Sequence, residues 1–93
     1  MEVIDNKEMS RFEAQTDDGP AFAEYRMHDD DIIEFTHTEV PLNQRKKGVA
    51  ETIARAALAN ARTRKLHVKP SCAFIDAFIQ KHSEYQDLVS EAT

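Results

Sequence analysis

The sequence predicts an α+β fold: a mixed, mainly antiparallel sheet packed on two principal helices, with a short C-terminal helix. Three observations carry this. Residues 10–40 hold three runs in which apolar and polar residues alternate, separated by short polar turns. An alanine-rich run at helical spacing follows. After it come one short apolar run and a second helical stripe. Period 2 marks half-buried strands and period 3.6 marks amphipathic helices, so the order reads β-β-β-loop-α-β-α.

The first predicted strand is Ser10–Thr16, with Phe12 and Ala14 on one face. Thr16-Asp17-Asp18-Gly19-Pro20 is a turn cluster. Ala21–Met27 alternates again, placing Ala21, Ala23, Tyr25 and Met27 together. His28-Asp29-Asp30-Asp31 turns the chain into a third strand, Ile32–Val40. Strict alternation there sets Ile33, Phe35 and His37 on one face and Ile32, Thr36, Thr38 and Val40 on the other. Connections this short make the three strands an antiparallel meander.

Pro41 stops the strand pattern. From Val49 to Arg62 the residues Ala50, Ile53, Ala54, Ala57, Leu58 and Ala61 share one helical face, whose small side chains allow close approach to a sheet. Leu66–Val68 is a fourth strand, parallel to the third through a right-handed crossover. Ser71 is the expected N-cap of a second helix from Cys72 to about Lys81, with Phe74, Ile75, Phe78 and Ile79 as its apolar stripe. Ser83-Glu84-Tyr85-Gln86 matches a capping box opening a short last helix.

Ninety-three residues suit one domain, 1–93, with one core. A net charge of −5 argues against general nucleic-acid binding. Met1–Asp5 lacks the basic and apolar regions of a signal peptide, and no apolar run approaches a membrane span. One cysteine forms no internal disulfide and builds no zinc site alone, so no metal is expected and a reducing cytoplasm is the expected compartment. A monomer is the expected state.

The charge is uneven. The first 39 residues hold 12 of the 17 acids, whereas Arg45–Lys65 holds seven cations against Glu51 alone. Within that stretch, Asn43-Gln44-Arg45-Lys46-Lys47-Gly48-Val49-Ala50 joins a strand to the longest helical run. Three cations stand where a helix N-terminus carries partial positive charge and favours anions. The pattern makes sense if a phosphate docks there. The unpaired N–H groups of Lys46 to Ala50 would grip it, Gly48 would let it approach, and Arg45, Lys46 and Lys47 would supply charge. The other reading is a solvated basic loop.

Arg45-x-x-Gly48-x-Ala50, between strand and helix, resembles the acetyl-CoA pyrophosphate motif of GNAT acetyltransferases. More closely, the chain is similar to a small GNAT-like subfamily with a characteristic cysteine. The stretches that carry this are Ser10-Arg11-Phe12-Glu13, Phe35-Thr36-His37-Thr38-Glu39-Val40-Pro41, Pro70-Ser71-Cys72-Ala73-Phe74 and His82-Ser83-Glu84-Tyr85-Gln86-Asp87-Leu88-Val89. They run in order over nearly the whole chain. Members of that subfamily are truncated and lack the helical pair that shapes the acceptor pocket of full GNAT enzymes. Three departures stand out: Arg45-Lys46-Lys47 is more basic than usual, Ala73 replaces an expected proline, and Phe78 stands about where many GNAT enzymes carry a proton-donating tyrosine.

The resemblance implies acetyl-CoA as cofactor, held by Arg45, Lys46, Lys47, Gly48, Val49 and Ala50, with the pantetheine arm between Thr36–Val40 and Leu66–Val68. Thr38 and Val40 would line that arm. Glu39 and His37 are candidates to deprotonate an amine, or else a structural pair at a strand end. Cys72, at a helix N-terminus where a thiolate is favoured, is a candidate nucleophile or CoA-disulfide partner. It reads equally as a buried small hydrophobe. N-acetyl transfer to an unidentified amine is the leading expectation. The alternatives are a non-catalytic acyl-CoA-binding module and an interaction domain whose basic loop takes an acidic or phosphorylated partner.

Overall fold

The computed structural model describes residues 1–89. Five strands form one sheet in the order β1 (Ile4–Asn6), β2 (Arg11–Thr16), β3 (Gly19–His28), β4 (Ile32–Glu39) and β5 (His67–Pro70). Neighbours are antiparallel from β1 to β4, and β4 and β5 are parallel, joined through α1 (Val49–Thr63). α2 (Ala73–Lys81) follows β5, and a 3-10 helix spans Ser83–Leu88. This is the expected α+β arrangement. Among the described residues no helix is long and apolar enough to cross a membrane.

Both helices cover one face of the sheet. Phe12, Ala14, Ala21, Ala23, Ile33, Phe35 and Val68 of the strands form a single core with Ile53, Ala57 and Leu58 of α1 and Ile75, Phe78 and Ile79 of α2. Ala54, Ala57 and Ala61 are fully buried, so α1 lies close to the sheet. The other face is polar and open, and there Arg11 lies over the Phe22 ring at 4.3 Å.

Five local expectations need correction. The predicted fourth strand is His67–Pro70 rather than Leu66–Val68, and His67 and Val68 pair with Ile32 and Ile33, so Leu66–Val68 does not lie across a gap from Thr36–Val40. β1 was not foreseen; it has three residues and one aliphatic side chain, too little for a periodic signal. Ser71 does not cap α2, because its hydroxyl donates to Glu34 Oε2 at 2.5 Å, and Cys72 is the N-cap. The capping box at Ser83 opens no α-helix; that segment is 3-10, with no side-chain cap bond. Finally, His37 does not share a face with Ile33 and Phe35. Tyr25 pairs with Phe35 and Glu24 with His37, which leaves Thr36 as an extra residue in β4. Such a bulge reverses the alternation beyond it. Thr38, opposite Ala23, therefore turns to the helix side, while His37 and Glu39, opposite Glu24 and Phe22, turn to the open face.

β1 is fastened to the sheet by Tyr25, whose hydroxyl donates to Asp5 Oδ1 at 2.6 Å. Burial first, and the carboxylate second, push the Tyr25 phenol up to about 12.

Candidate functional site

The connection from β4 to α1 is a 3-10 turn, Leu42–Gln44, followed by a turn through Arg45 to Gly48. Gly48 is the N-cap of α1 with φ +79°, and Lys46 also has positive φ, at +68°. A Cβ on Gly48 would meet nothing within 4 Å. Glycine is favoured there by its left-handed backbone, not by crowding. Two side chains hold the loop. Gln44 Nε2 donates to Asp18 Oδ2 at 2.6 Å, and Arg45 Nε donates to the Val40 carbonyl at 3.1 Å. Lys46 and Lys47 stay exposed beside the first α1 amides, which have no intrahelical acceptor.

A second helix N-terminus converges on the same place. β4 and β5 pair only as far as Phe35 and Pro70. The Phe35 carbonyl then accepts the Cys72 amide at 2.8 Å, and α2 begins. From Thr36 onward β4 has β3 on one side and no strand on the other. Cys72 is buried there, with its sulfur 3.2 Å from Thr38 Oγ1. α1 and α2 run side by side in the same direction: Arg55 lies over Phe78 at 5.4 Å, and Arg62 pairs with Asp87 beyond α2 at 2.8 Å. Two positive helix ends thus face one region.

A cavity of about 260 Å³ opens between the loop and α2, lined by Val40, Gln44, Arg45, Lys46, Val49, Ala50, Glu51 and Phe74. It gathers five of the residues proposed for cofactor binding: Val40, Arg45, Lys46, Val49 and Ala50. Gly48 sits at the head of α1, Lys47 on the outer side of the loop, and Thr38 deeper, against Cys72. Gln44, Glu51 and Phe74 were missed. Phe74 reads as core by spacing, yet it is only half-buried and forms the cavity wall on α2. A larger cavity of about 350 Å³, lined by Met1, Glu2, Ile4, Glu13 and Gln15, lies at the β1 edge, with β3 between it and β4.

His37 Nε2 and Glu39 Oε2 are 2.7 Å apart, each about half exposed (54% and 50%), on the open face. The Phe22 ring lies 6.5 Å from the imidazole. The pair is therefore on the opposite side of β4 from Cys72 and Thr38. Phe78 is buried in the core beneath His82, with ring centroids 4.0 Å apart, six residues along α2 from Cys72.

Comparisons with known proteins give a concordant picture. A model of the GCN5-related N-acetyltransferase family matches residues 11–88. The NMR solution structure of a GCN5-like protein from Staphylococcus aureus is 24% identical and superposes with a TM-score of 0.70. The alignment covers 99% of this chain and 90% of that one, and at this identity the likeness speaks for the fold.

A hydrogen-bonded cluster fixes the point where β5 passes into α2. Glu34 accepts from Ser71 on one oxygen and meets His28 Nε2 at 2.6 Å on the other. The Ser71 hydroxyl first, and His28 second, hold the Glu34 carboxyl down at about 2. A carboxyl lowered by folding adds stability above the ordinary carboxylate range and loses it as pH falls from about 4.5 through 2. Ser71→Ala should raise the Glu34 midpoint in an NMR titration of carboxyl carbons and flatten the acid limb of stability measured by denaturant unfolding. Superimposable curves for the two proteins would show that Ser71 does not hold this junction.

Proposed function

The chain belongs to the GCN5-related N-acetyltransferase family, and from that premise we propose that it binds acetyl-CoA at the β4–α1 loop and transfers the acetyl group to an amine. The observation that carries this reading is the parting of β4 from β5 at Phe35, beside two helix N-termini and a basic loop. Backbone N–H groups at a helix start take up phosphate oxygens with little ordering cost, since they are already fixed. Arg45, Lys46 and Lys47 add charge. The unpaired side of β4 beyond Phe35 offers backbone donors and acceptors to the pantetheine amides, and an amide donor there would stabilise the thioester oxyanion. Thr38 and Val40 flank this path.

The two candidate chemistries fall on opposite sides of β4. The open face, with His37 and Glu39 half exposed, suits the incoming amine. Glu39, with His37 as support, would take the amine proton as the nitrogen attacks the acetyl carbon and the carbon–sulfur bond breaks. Cys72 lies on the helix side, buried and in contact with Thr38, next to where the thioester sulfur would rest. Direct attack from the open face is the favoured route, with Cys72 lining the donor side. A non-catalytic acyl-CoA-binding module is the second reading; it is favoured by Phe78, which carries no proton for a leaving thiolate.

Binding is tested first. Acetyl-CoA should bind far more tightly than acetyl-pantetheine, which lacks all its phosphates. Lys46→Glu with Lys47→Glu should weaken acetyl-CoA binding by about ten- to hundredfold, less at high salt, with little change in melting temperature. Calorimetry giving equal affinity for the two donors would remove the phosphate site.

Turnover is tested second, on a panel of amines. Glu39→Gln should lower turnover by about 10²–10⁴-fold while leaving acetyl-CoA affinity intact. Cys72→Ala should keep turnover within a few fold. Loss of turnover in Cys72→Ala alone, with a trapped acetyl-cysteine in the parent protein, would replace direct attack by a relay.

A further inference from the structure

The cavity of about 350 Å³ at the β1 edge plays no part in holding acetyl-CoA, yet it opens on the same face of the sheet as His37 and Glu39. Ile4 pairs with Glu13, Glu13 with Phe22, and Phe22 with Glu39, and paired residues share a face. One row of side chains therefore crosses four strands, from the cavity to the proposed base. Two strand spacings, about 10 Å, separate Glu13 from Glu39. Phe22 stands between them, a half-buried apolar ring on a face that no helix covers. Glu13 itself is only 16% exposed. Arg11 Nε donates to its Oε1 at 2.7 Å, and Asn6 Nδ2 donates to the same oxygen at 3.1 Å. Among the described residues Oε2 accepts no hydrogen bond. The Arg11 bond first, and Asn6 second, hold the Glu13 carboxyl below its ordinary range, so it is ionised at neutral pH. Glu2 adds a second carboxylate to the cavity wall, Gln15 an amide, and Met1 and Ile4 apolar surface; no cationic side chain among the described residues lines it.

We propose that the acceptor is a linear di- or polyamine: the amine to be acetylated lies at Glu39, the chain crosses Phe22, and a second ammonium about 10 Å away enters the cavity to meet Glu13 and Glu2. The proposal rests on acetyl transfer from the donor side of β4. The reacting amine must shed its proton before it attacks, whereas a distant amine keeps its charge at neutral pH. Only the distant end can therefore be held by charge, and the free Glu13 oxygen gives it a charge-assisted hydrogen bond. The methylene chain between the two amines suits the apolar ring of Phe22 and the side chain of Ile4. Arg11 is the cation nearest to this path, lying over Phe22 at 4.3 Å, and Glu13 already balances it. An acceptor with a carboxylate beside its amine meets repulsion from Glu39 and from Glu24, which pairs with His37 on the same face. A simple monoamine leaves the cavity empty.

The test uses diaminooctane, whose extended chain covers the span, with octylamine and the shorter diaminobutane as controls. With acetyl-CoA saturating, kcat/KM for diaminooctane should exceed that for either control by about tenfold or more, the scale of one hydrogen bond to a charged group. Glu13→Gln keeps an oxygen for Arg11 and Asn6 but removes the charge. Ile4→Trp fills the cavity from an exposed strand position, where an aromatic residue is well tolerated. Each should bring the ratio of diaminooctane to octylamine rates toward one. A ratio near one in the unaltered protein, or one that neither variant lowers, would overturn the diamine site. Backbone amide NMR gives a readout independent of turnover: diaminooctane alone should shift Ile4, Glu13 and Gln15, and octylamine should not. Absence of those shifts would overturn the site whatever the rates. Saturating shifts there with no amine acetylated would overturn acetyl transfer itself and leave a diamine-binding cavity.

Discussion

One constraint organises the candidate site: β4 outlasts its parallel partner. β5 ends at Pro70, and the last carbonyl that it could have served, on Phe35, is taken by the amide of Cys72. That bond closes the paired part of the sheet and starts α2 in the same step. Beyond it β4 bulges at Thr36, and each later residue changes sides. Thr38 meets the cysteine, Val40 reaches the cavity, and His37 and Glu39 turn to the open face. Without the bulge, His37 would point into the helices and Thr38 away from them.

The basic loop depends on the same strand. Arg45 returns to the Val40 carbonyl, and Gln44 reaches the β2–β3 turn at Asp18, so the loop is anchored at two points before α1 begins. Positive φ at Lys46 and Gly48 completes the tight turn. Pre-ordering of this kind lowers the entropy lost when a ligand binds. A chain of net charge −5 presents a cationic patch here, since the acids are concentrated in the first 39 residues and the loop carries Arg45, Lys46 and Lys47.

Much of the fold was legible because it rests on simple periods. Phe12 with Ala14, Ala21 with Ala23, and Ile33 with Phe35 are buried as alternation requires, and the alanine face of α1 lies against the sheet. The crossover to a parallel β5 followed from a helix between two strands. What could not be read depends on contacts distant in sequence. The bulge leaves no glycine or proline at Thr36, so its reversal of His37 and Thr38 was invisible. Ser71 looked like a helix cap, but Glu34, 37 residues away, takes its hydroxyl. Phe74 has the spacing of a core residue and becomes a cavity wall only because α1 and α2 run parallel. Gly48 was singled out for ligand approach; the structure shows its left-handed φ and no neighbour within 4 Å of a Cβ there.

The central claim is that the gap beside β4, framed by two helix N-termini, is where acetyl-CoA lies. Backbone amide NMR with stepwise addition of acetyl-CoA tests it most directly. The account predicts the largest shifts at Thr38, at residues 46–51 and at Cys72 to Phe74, with β1 and β2 nearly silent. Shifts gathered instead around Ile4, Glu13 and Gln15 at the opposite edge of the sheet, or spread evenly without saturation, would contradict it.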